Sequence, residues 1–390
     1  MLTTACAPWL CVDSRSSQRS RMAKFRRNDP CWCGSGEKYK NCHLRRSDES
    51  PLPFEAIASQ ARSAAAFRTC LHPGAGSQTC GKVISAHTLQ RSRVLSAIAD
   101  RENHVLTFYP PEPKPDGGLN LHRRGWRQSS TFTAFCNKHD TQAFAPLEAV
   151  PFTGTQEQIF LIAYRAICWE LHQKRRATLA SPAVRRLIDR GQPEFVQQRI
   201  QSVLGVQEAG FSKGLSELSE LKEKMDAALV SGDYAGFDTL ELTLEGQLGI
   251  ASTGAITPNQ TISGKHIQTL HDDSKPMQWL AFGVDIRDNR PVFLFFWHKQ
   301  HEATRTYVEE ILALDPKARA TFLTQFVFAH CENTYFSNTW WNALSNAEQR
   351  HLELLMANSN PYYFPPQYDL SLGGLAPWMS AGVAPSCSSA

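Results

Sequence analysis

Hydrophobic positions recur along this chain at two different spacings, and the change falls near Gly246. Between residues 155 and 229, apolar side chains return every three to four residues, which is the period of an α-helix. The most regular stripe consists of Leu215, Leu218, Leu221, Met225 and Leu229. Charged residues stand between its members, so residues 211–230 are predicted to form an amphipathic helix, either packed on a neighbouring helix or paired as a short coiled coil.

Beyond Gly246 the pattern favours strands and then helices. Residues 249–256, 278–286 and 291–299 are rich in Val, Ile, Phe and Trp, and residues 287–290 have the composition of a hairpin connection. Helices are predicted to follow over residues 304–312 and 316–329. The carboxyl-terminal half therefore combines both kinds of element.

The whole pattern predicts an α+β protein built from consecutive segments. Short helices are expected over residues 56–67 and 88–99, on the amino-terminal side of a Pro-rich loop. The predicted segments are a disordered extension (1–21), a Cys-rich knuckle (22–46), a second Cys-containing module (55–150), a helical region (151–245), a mixed α+β domain (246–364) and a disordered tail (365–390).

Composition restricts the compartment and the partners. The chain of 390 residues has a net charge of only +4, but its basic residues cluster around the knuckle, at Lys24, Arg26, Arg27, Lys38, Lys40, Arg45 and Arg46. Such a cluster could meet phosphate or an acidic protein, or be a solvated surface. No apolar run reaches the length of a membrane span, and the arginines near the amino terminus follow its short apolar stretch instead of preceding it, unlike a secretory signal. A cytoplasmic protein is expected.

The cysteines point to metal more than to disulfides. There are eleven, an odd number, and Cys31 and Cys33 are separated by a single residue. Ligands so close together can converge on one ion, which is the usual use of such spacing in a reducing compartment.

Residues 31–43 supply four zinc ligands, Cys31, Cys33, Cys42 and His43. Three thiolates and one imidazole close a tetrahedron around zinc and leave no position for water, so the predicted site is structural. Gly34 and Gly36 allow the backbone to double back. A segment this short cannot bury a core, so its fold is expected to depend on the metal.

This run resembles the SEC-C motif, the zinc-binding tail of the preprotein-translocase motor SecA. It meets the spacing Cys-x-Cys-x8-Cys-His, and it carries Asn-Asp-Pro at 28–30, Gly-Ser-Gly at 34–36 and Lys-Tyr-Lys at 38–40. Trp32 stands where Pro is usual, and Leu44 stands where Gly commonly follows. The motif occurs on many bacterial proteins, and in SecA it docks a chaperone and lipid headgroups, so the resemblance implies a bacterial protein with a binding module. No ATP-binding loop of the motor is present.

A second zinc site is predicted at Cys70, Cys80, Cys136 and His139. Cys80 precedes a Gly-Lys turn, and Cys136 and His139 stand at the start of a predicted helix. One ligand pair from a turn and one from a helix start is the plan of a treble clef. The alternative is that Cys70 is a free thiol and the others are core residues.

The treble clef resembles, more weakly, the HNH nucleases. In that family a histidine between the two ligand pairs activates water, and a divalent ion stabilises the scissile phosphate, which implies His87 as general base with Asn103 or His104 nearby. The first pair departs from the usual Cys-x-x-Cys, and no second histidine for a catalytic metal follows on the helix.

The sequence thus favours a zinc protein whose knuckle docks a protein or a nucleic acid. The alternatives are a metal-dependent nuclease that uses His87, and a homo-oligomer formed through the 211–230 helix.

Overall fold

The computed structural model of the chain describes residues 25–269, 274–358 and 366–384. The predicted extension over residues 1–21 lies outside the described residues, as does Lys24. None of the described helices is both long enough and apolar enough to cross a bilayer.

The described chain contains both helices and strands, in runs of one to four elements of the same kind. The helices are α1 (Tyr39–Cys42), α2 (Phe54–Ala64), α3 (Ser96–Ile98), α4 (Asn137–Glu148), α5 (Gln156–Leu187), α6 (Glu194–Ser231), α7 (Glu302–Ala313), α8 (Pro316–His330), α9 (Asn338–Ala343) and α10 (Asn346–Ala357). The strands are β1 (Val83–His87), β2 (His104–Thr107), β3 (His122–Gly125), β4 (Thr131–Cys136), β5 (Phe237–Gly246), β6 (Ile250–Ile256), β7 (Leu280–Arg287), β8 (Arg290–His298), β9 (Thr334–Phe336) and β10 (Trp378–Ala384). This confirms the predicted mixture of a Cys-rich amino terminus, a helical region and a sheet-rich carboxyl-terminal part.

The chain forms two compact units, and each unit combines segments that are separated in the sequence. The first, here called the knuckle unit, comprises residues 25–67 and 173–216. The second, the sheet unit, comprises residues 68–172 and 217–384. Helices α5 and α6 each contribute to both units. The predicted segment boundaries near residues 151 and 245 stay predictions.

The sheet unit contains an eight-stranded sheet in the order β10-β5-β8-β7-β6-β9-β2-β3 and a separate two-stranded sheet of β1 and β4. The hairpin predicted at residues 287–290 is present. Asp288 and Asn289 adopt positive φ of 51° and 61°, which matches the twist of the two strands that the turn joins. Aromatic side chains on β7, β8 and α8, including Phe282, Phe293 and Phe326, are buried in the main core.

Three segments differ from their predictions. Within residues 88–99 only Ser96–Ile98 is α-helical, after one π-helical turn, Arg91–Leu95. Strand β5 occupies residues assigned to the helical region, and β10 lies in the predicted disordered tail, where it pairs with β5. The pairing partner of β10 lies more than 130 residues earlier in the chain, so no local sequence pattern predicts that strand.

The leucine stripe of residues 211–230 lies on α6, as predicted. Leu218, Leu221 and Met225 are buried within the single chain. The homo-oligomer predicted through this helix stays a prediction.

Candidate metal centres

The first cluster forms where a tight loop turns back on α1. Cys31 donates its backbone N–H to the Glu37 carbonyl (2.8 Å), and Pro30 and Lys38 form an isolated antiparallel bridge. Gly34 and Gly36 have φ of +76°, the left-handed conformation that the sequence predicts for them. The loop thereby places Cys31 and Cys33 opposite Cys42 and His43.

The four predicted ligands converge. The Nδ1 atom of His43 lies 3.2 Å from the Cys31 sulfur and 3.1 Å from the Cys42 sulfur, and the sulfurs of Cys33 and Cys42 are 3.5 Å apart. All four ligand atoms lie within 4.8 Å of one another. Bonds of about 2.3 Å to sulfur and 2.0 Å to nitrogen would separate the ligands of a tetrahedral zinc by roughly 3.5–3.8 Å. The donor set and its spacing therefore fit zinc.

The thiols of the first cluster differ in acidity. Burial raises the pKa of Cys31 to about 12. Burial also acts to raise the pKa of Cys33, but hydrogen bonds from Ser35 outweigh it and lower that pKa to about 7.

Trp32, which departs from the SEC-C pattern, packs against a ligand. Its ring lies 4.3 Å from the His43 imidazole, centroid to centroid. The substitution therefore covers the imidazole with an aromatic ring, while His43 itself is buried.

Sequence reasoning missed Asp189, which lies between α5 and α6. Its Oδ2 atom is 2.9 Å from His43 Nε2, and its Oδ1 atom accepts from Arg46 Nε at 2.5 Å. Burial acts to raise the pKa of Asp189, but hydrogen bonds from His43 and Gln201 and the charge of Arg46 lower it. No local motif marks Asp189, because it meets the knuckle from 146 residues away.

The rest of the knuckle surface is basic. Five cationic side chains are exposed and form no ion pair with a carboxylate in the part of the chain that the structure describes: Arg26, Arg27, Lys38, Lys40 and Arg45. Arg46 differs from them because it is buried beside Asp189.

The second predicted cluster also assembles. Val83 pairs with Cys136 in the β1–β4 ladder, which brings Cys80, just before β1, close to the end of β4. Thr69 and Leu71 donate backbone N–H groups to Thr133 and Ala134, and this places Cys70 beside the same strand. Cys136 caps the amino terminus of α4, and its sulfur accepts the His139 N–H.

In this cluster the His139 imidazole faces three thiols. Its Nδ1 atom lies 3.4 Å from the Cys70 sulfur, 3.6 Å from that of Cys80 and 3.3 Å from that of Cys136. The four ligand atoms lie within 4.8 Å of one another, and the His72 ring stacks on His139 at 4.2 Å. These distances fit zinc as well as those of the first cluster. No disulfide joins the described cysteines.

His87 belongs to neither cluster. It pairs with Thr131 at the far end of β1, whereas Cys80 precedes the start of that strand. His87 is four residues beyond Val83, so the two residues are separated by roughly 13 Å along the strand. Its Nε2 atom is buried and has no hydrogen-bond partner among the described residues. Burial lowers the pKa of His87, and the charges of Arg91 and Arg165 lower it further, so the imidazole is neutral near pH 7.

Two neighbours that sequence reasoning did not single out share this environment. Arg165 is 2% exposed, and its charge acts on both His87 and Asp140. In the described part of the chain, the Nε atom of Arg165 and the Oδ1 atom of Asp140 are also buried and form no hydrogen bond, although another nitrogen of Arg165 lies 4.0 Å from Asp140 Oδ1. Asp140 directly follows the ligand His139, and that position was the only sequence signal that could have drawn attention to it.

Asn103 and His104 lie at the start of β2 in the eight-stranded sheet. Asn103 has a positive φ of 62° and accepts the Trp126 N–H through its carbonyl. Among the described residues, no hydrogen bond joins either side chain to His87.

Comparisons with known proteins bear on the first cluster. Residues 27–45 match the SEC-C motif. The chain is 53% identical over 36 residues to the protein translocase subunit SecA of Chloroflexus aggregans, and 59% identical over 28 residues to a methionine aminopeptidase of Chlamydia trachomatis serovar D. The matches cover 9% and 7% of this chain and only 4% and 10% of those proteins. No solved structure matches the chain. The SEC-C resemblance is confirmed for this segment, and the HNH resemblance stays a prediction.

Proposed function

We propose that this is a two-zinc protein whose knuckle docks a negatively charged surface of a protein or a nucleic acid. The observation that carries the proposal is the group of five exposed cations that form no ion pair with any described carboxylate, next to four ligands that already converge. A closed four-ligand site has no catalytic position, so the zinc serves to hold this surface in shape. A cytoplasmic setting, in which the thiols stay reduced, suits both clusters.

The similar proteins support a portable module. One is named as a translocase subunit and the other as an aminopeptidase, and this chain matches each over fewer than 40 residues. A short segment shared by proteins of unlike names is better explained as a binding element than as part of a common active site.

We propose a treble-clef-like module for the second cluster, and the origin of its ligands supports this. Its ligands come from a loop, a turn and the start of α4, and β1 and β4 lie between the turn and the helix. In this proposal the second zinc is structural too, because all four ligands come from the protein. Metal analysis of the purified chain should find two zinc ions per molecule, and a value of one would remove one of the sites.

Docking is tested by reversing charge on the knuckle. Lys38→Glu/Lys40→Glu is expected to weaken binding of a labelled 20-base-pair DNA or of an acidic peptide at least tenfold at low salt, with zinc content unchanged. Lys265→Glu/Lys317→Glu changes charge equally at exposed sites of the sheet unit and is the matched control. Equal losses in both variants would refute a docking role for the knuckle, and the probe that responds identifies the class of partner.

A second candidate, a metal-dependent nuclease, rests on His87. Its support is that burial lowers the pKa of His87, which leaves the imidazole able to act as a base, and that the charge of Arg165 acts on both His87 and Asp140, whose carboxylate is a type of ligand that divalent ions accept. The structural zinc would take no part in that step.

Plasmid nicking with magnesium or manganese tests this candidate. His87→Ala is expected to abolish nicking and keep both zinc ions, since His87 lies outside both clusters. His266→Ala, at an exposed histidine, is the control. Absence of nicking by the wild type, or persistence in His87→Ala, would exclude the candidate.

A further inference from the structure

The knuckle motif ends at residue 45, yet one of its four predicted ligands, His43, contacts a carboxylate from elsewhere in the chain. His43 faces the thiols with Nδ1, which leaves Nε2 as the ring's second nitrogen. That atom lies 2.9 Å from Asp189 Oδ2, with both side chains buried. A metal-bound imidazole commonly donates its other N–H to a carboxylate, which fixes the tautomer and makes the ligand nitrogen more basic.

Asp189 is held as a fixed acceptor. It is completely buried, and Gln201 Nε2 donates to its Oδ2 atom at 2.7 Å while Arg46 donates to Oδ1. A buried carboxylate is costly unless its oxygens are satisfied, and here both are. The three donors come from the knuckle, a 3₁₀ turn and α6, so Asp189 ties these parts of the knuckle unit together.

We propose that Asp189 is a positioning residue of the knuckle metal site. It holds His43 as the Nε2–H tautomer, so that Nδ1 is free to bind zinc, and it makes zinc retention depend on the turn between α5 and α6. This inference rests on the proposed zinc binding by the knuckle. A match to the SEC-C motif alone would therefore miss Asp189.

The wild-type chain provides the first test. In zinc-loaded protein, the ring nitrogens of His43, observed by ¹⁵N NMR, are expected to show a protonated Nε2 and a metal-bound Nδ1. The opposite pattern, with Nε2 on the metal, would overturn the proposal without any substitution. This measurement does not depend on whether a variant folds.

The second test follows zinc retention cysteine by cysteine in the full chain. A chelator titration is followed by a pulse of alkylating reagent, and the labelled peptides are measured by mass spectrometry. Asp189→Asn is expected to expose Cys33 and Cys42 at about 10- to 100-fold lower chelator concentration than in the wild type. Cys70 and Cys80 in the same sample report the second cluster and should not change.

The matched control is Arg190→Leu. Arg190 donates to Glu49 Oε2 at 2.7 Å, so its loss weakens another contact of the same α5–α6 turn without touching His43, Asp189 or Gln201. If Arg190→Leu exposes Cys33 as early as Asp189→Asn does, or if Asp189→Asn changes nothing, the positioning role is wrong. If Cys33 is alkylated in wild type before any chelator is added, the proposed zinc binding itself fails.

Discussion

Gly191, two residues beyond Asp189, has a φ of +73° and donates its N–H to the Arg46 carbonyl at 3.0 Å. A Cβ atom at this position would lie 2.6 Å from the Glu49 carbonyl oxygen. Both the left-handed backbone and the close approach of a main-chain atom require glycine. Single residues of this kind decide whether the α5–α6 turn can present Asp189 to the knuckle.

Gly191→Ala is therefore expected to lower the free energy of unfolding of the knuckle unit by about 1–2 kcal/mol, and by more if Glu49 cannot move. Urea titration followed by an amide signal from residues 173–216 measures the change. Gly205→Ala is the control, since Gly205 lies within α6 with nothing near its missing Cβ, and alanine there should be neutral or stabilising. Equal effects at both positions would contradict this account of the turn.

Residue-scale chemistry was predictable where the ligands are close in sequence. The spacing of Cys31, Cys33, Cys42 and His43 was enough to predict the first cluster, and the second was predicted from pairs flanking a strand and a helix start. Asp189 was not predictable in this way, because a lone aspartate after a helix has no distinguishing neighbours and acquires its role only through folding.

Among the elements, the π-helical turn Arg91–Leu95 is anchored by one side chain. Arg93 donates to both oxygens of Asp285 on β7, at 2.5 and 2.8 Å, and Asp285 is 2% exposed. Removing the cation would leave a buried carboxylate without its partner, a change that typically costs about 3–5 kcal/mol.

Arg93→Met is accordingly expected to destabilise the sheet unit by about 3–5 kcal/mol. The double variant Arg93→Met/Asp285→Leu should recover most of the loss, because no unpaired charge remains. Chemical denaturation of the two variants and of Asp285→Leu completes a double-mutant cycle. Additive losses in the double variant would show that the two side chains do not act as a pair.

The helices and strands agree with the local sequence pattern where local interactions dominate. The helix predicted at residues 316–329 is α8, Pro316–His330, which starts with an Asp315 cap and a proline in its first turn. The helix expected over residues 88–99 is shorter than predicted, because Thr88 is instead bound to Ser130 in the adjoining loop. Tertiary hydrogen bonding overrode the periodicity there.

At the scale of the whole molecule, sequence order and spatial order differ. The knuckle unit combines residues 25–67 with residues 173–216, and strand β9 stands between β6 and β2, which are far apart in the chain. Such pairings depend on which surfaces fit together after the chain has collapsed. The spacing of hydrophobic positions along the sequence does not predict them. The linear segments predicted from the sequence could not have shown this interleaving.

The loop of residues 27–48 and the sheet unit differ in their sources of stability. Along residues 27–48 the only buried apolar side chain is that of Cys31, whereas the sheet unit has a large aromatic core. Zinc binding contributes about 10–16 kcal/mol to comparable peptides, far more than this loop could gain from burial. Chelation is therefore expected to erase hydrogen-exchange protection at the amides of Cys31 and Lys40, which bond across the loop, and to leave the amides of β7 and β8 protected. If protection were lost together in the loop and in these strands, the metal would be holding the entire fold, and the apolar core could not be the main source of stability of the sheet unit.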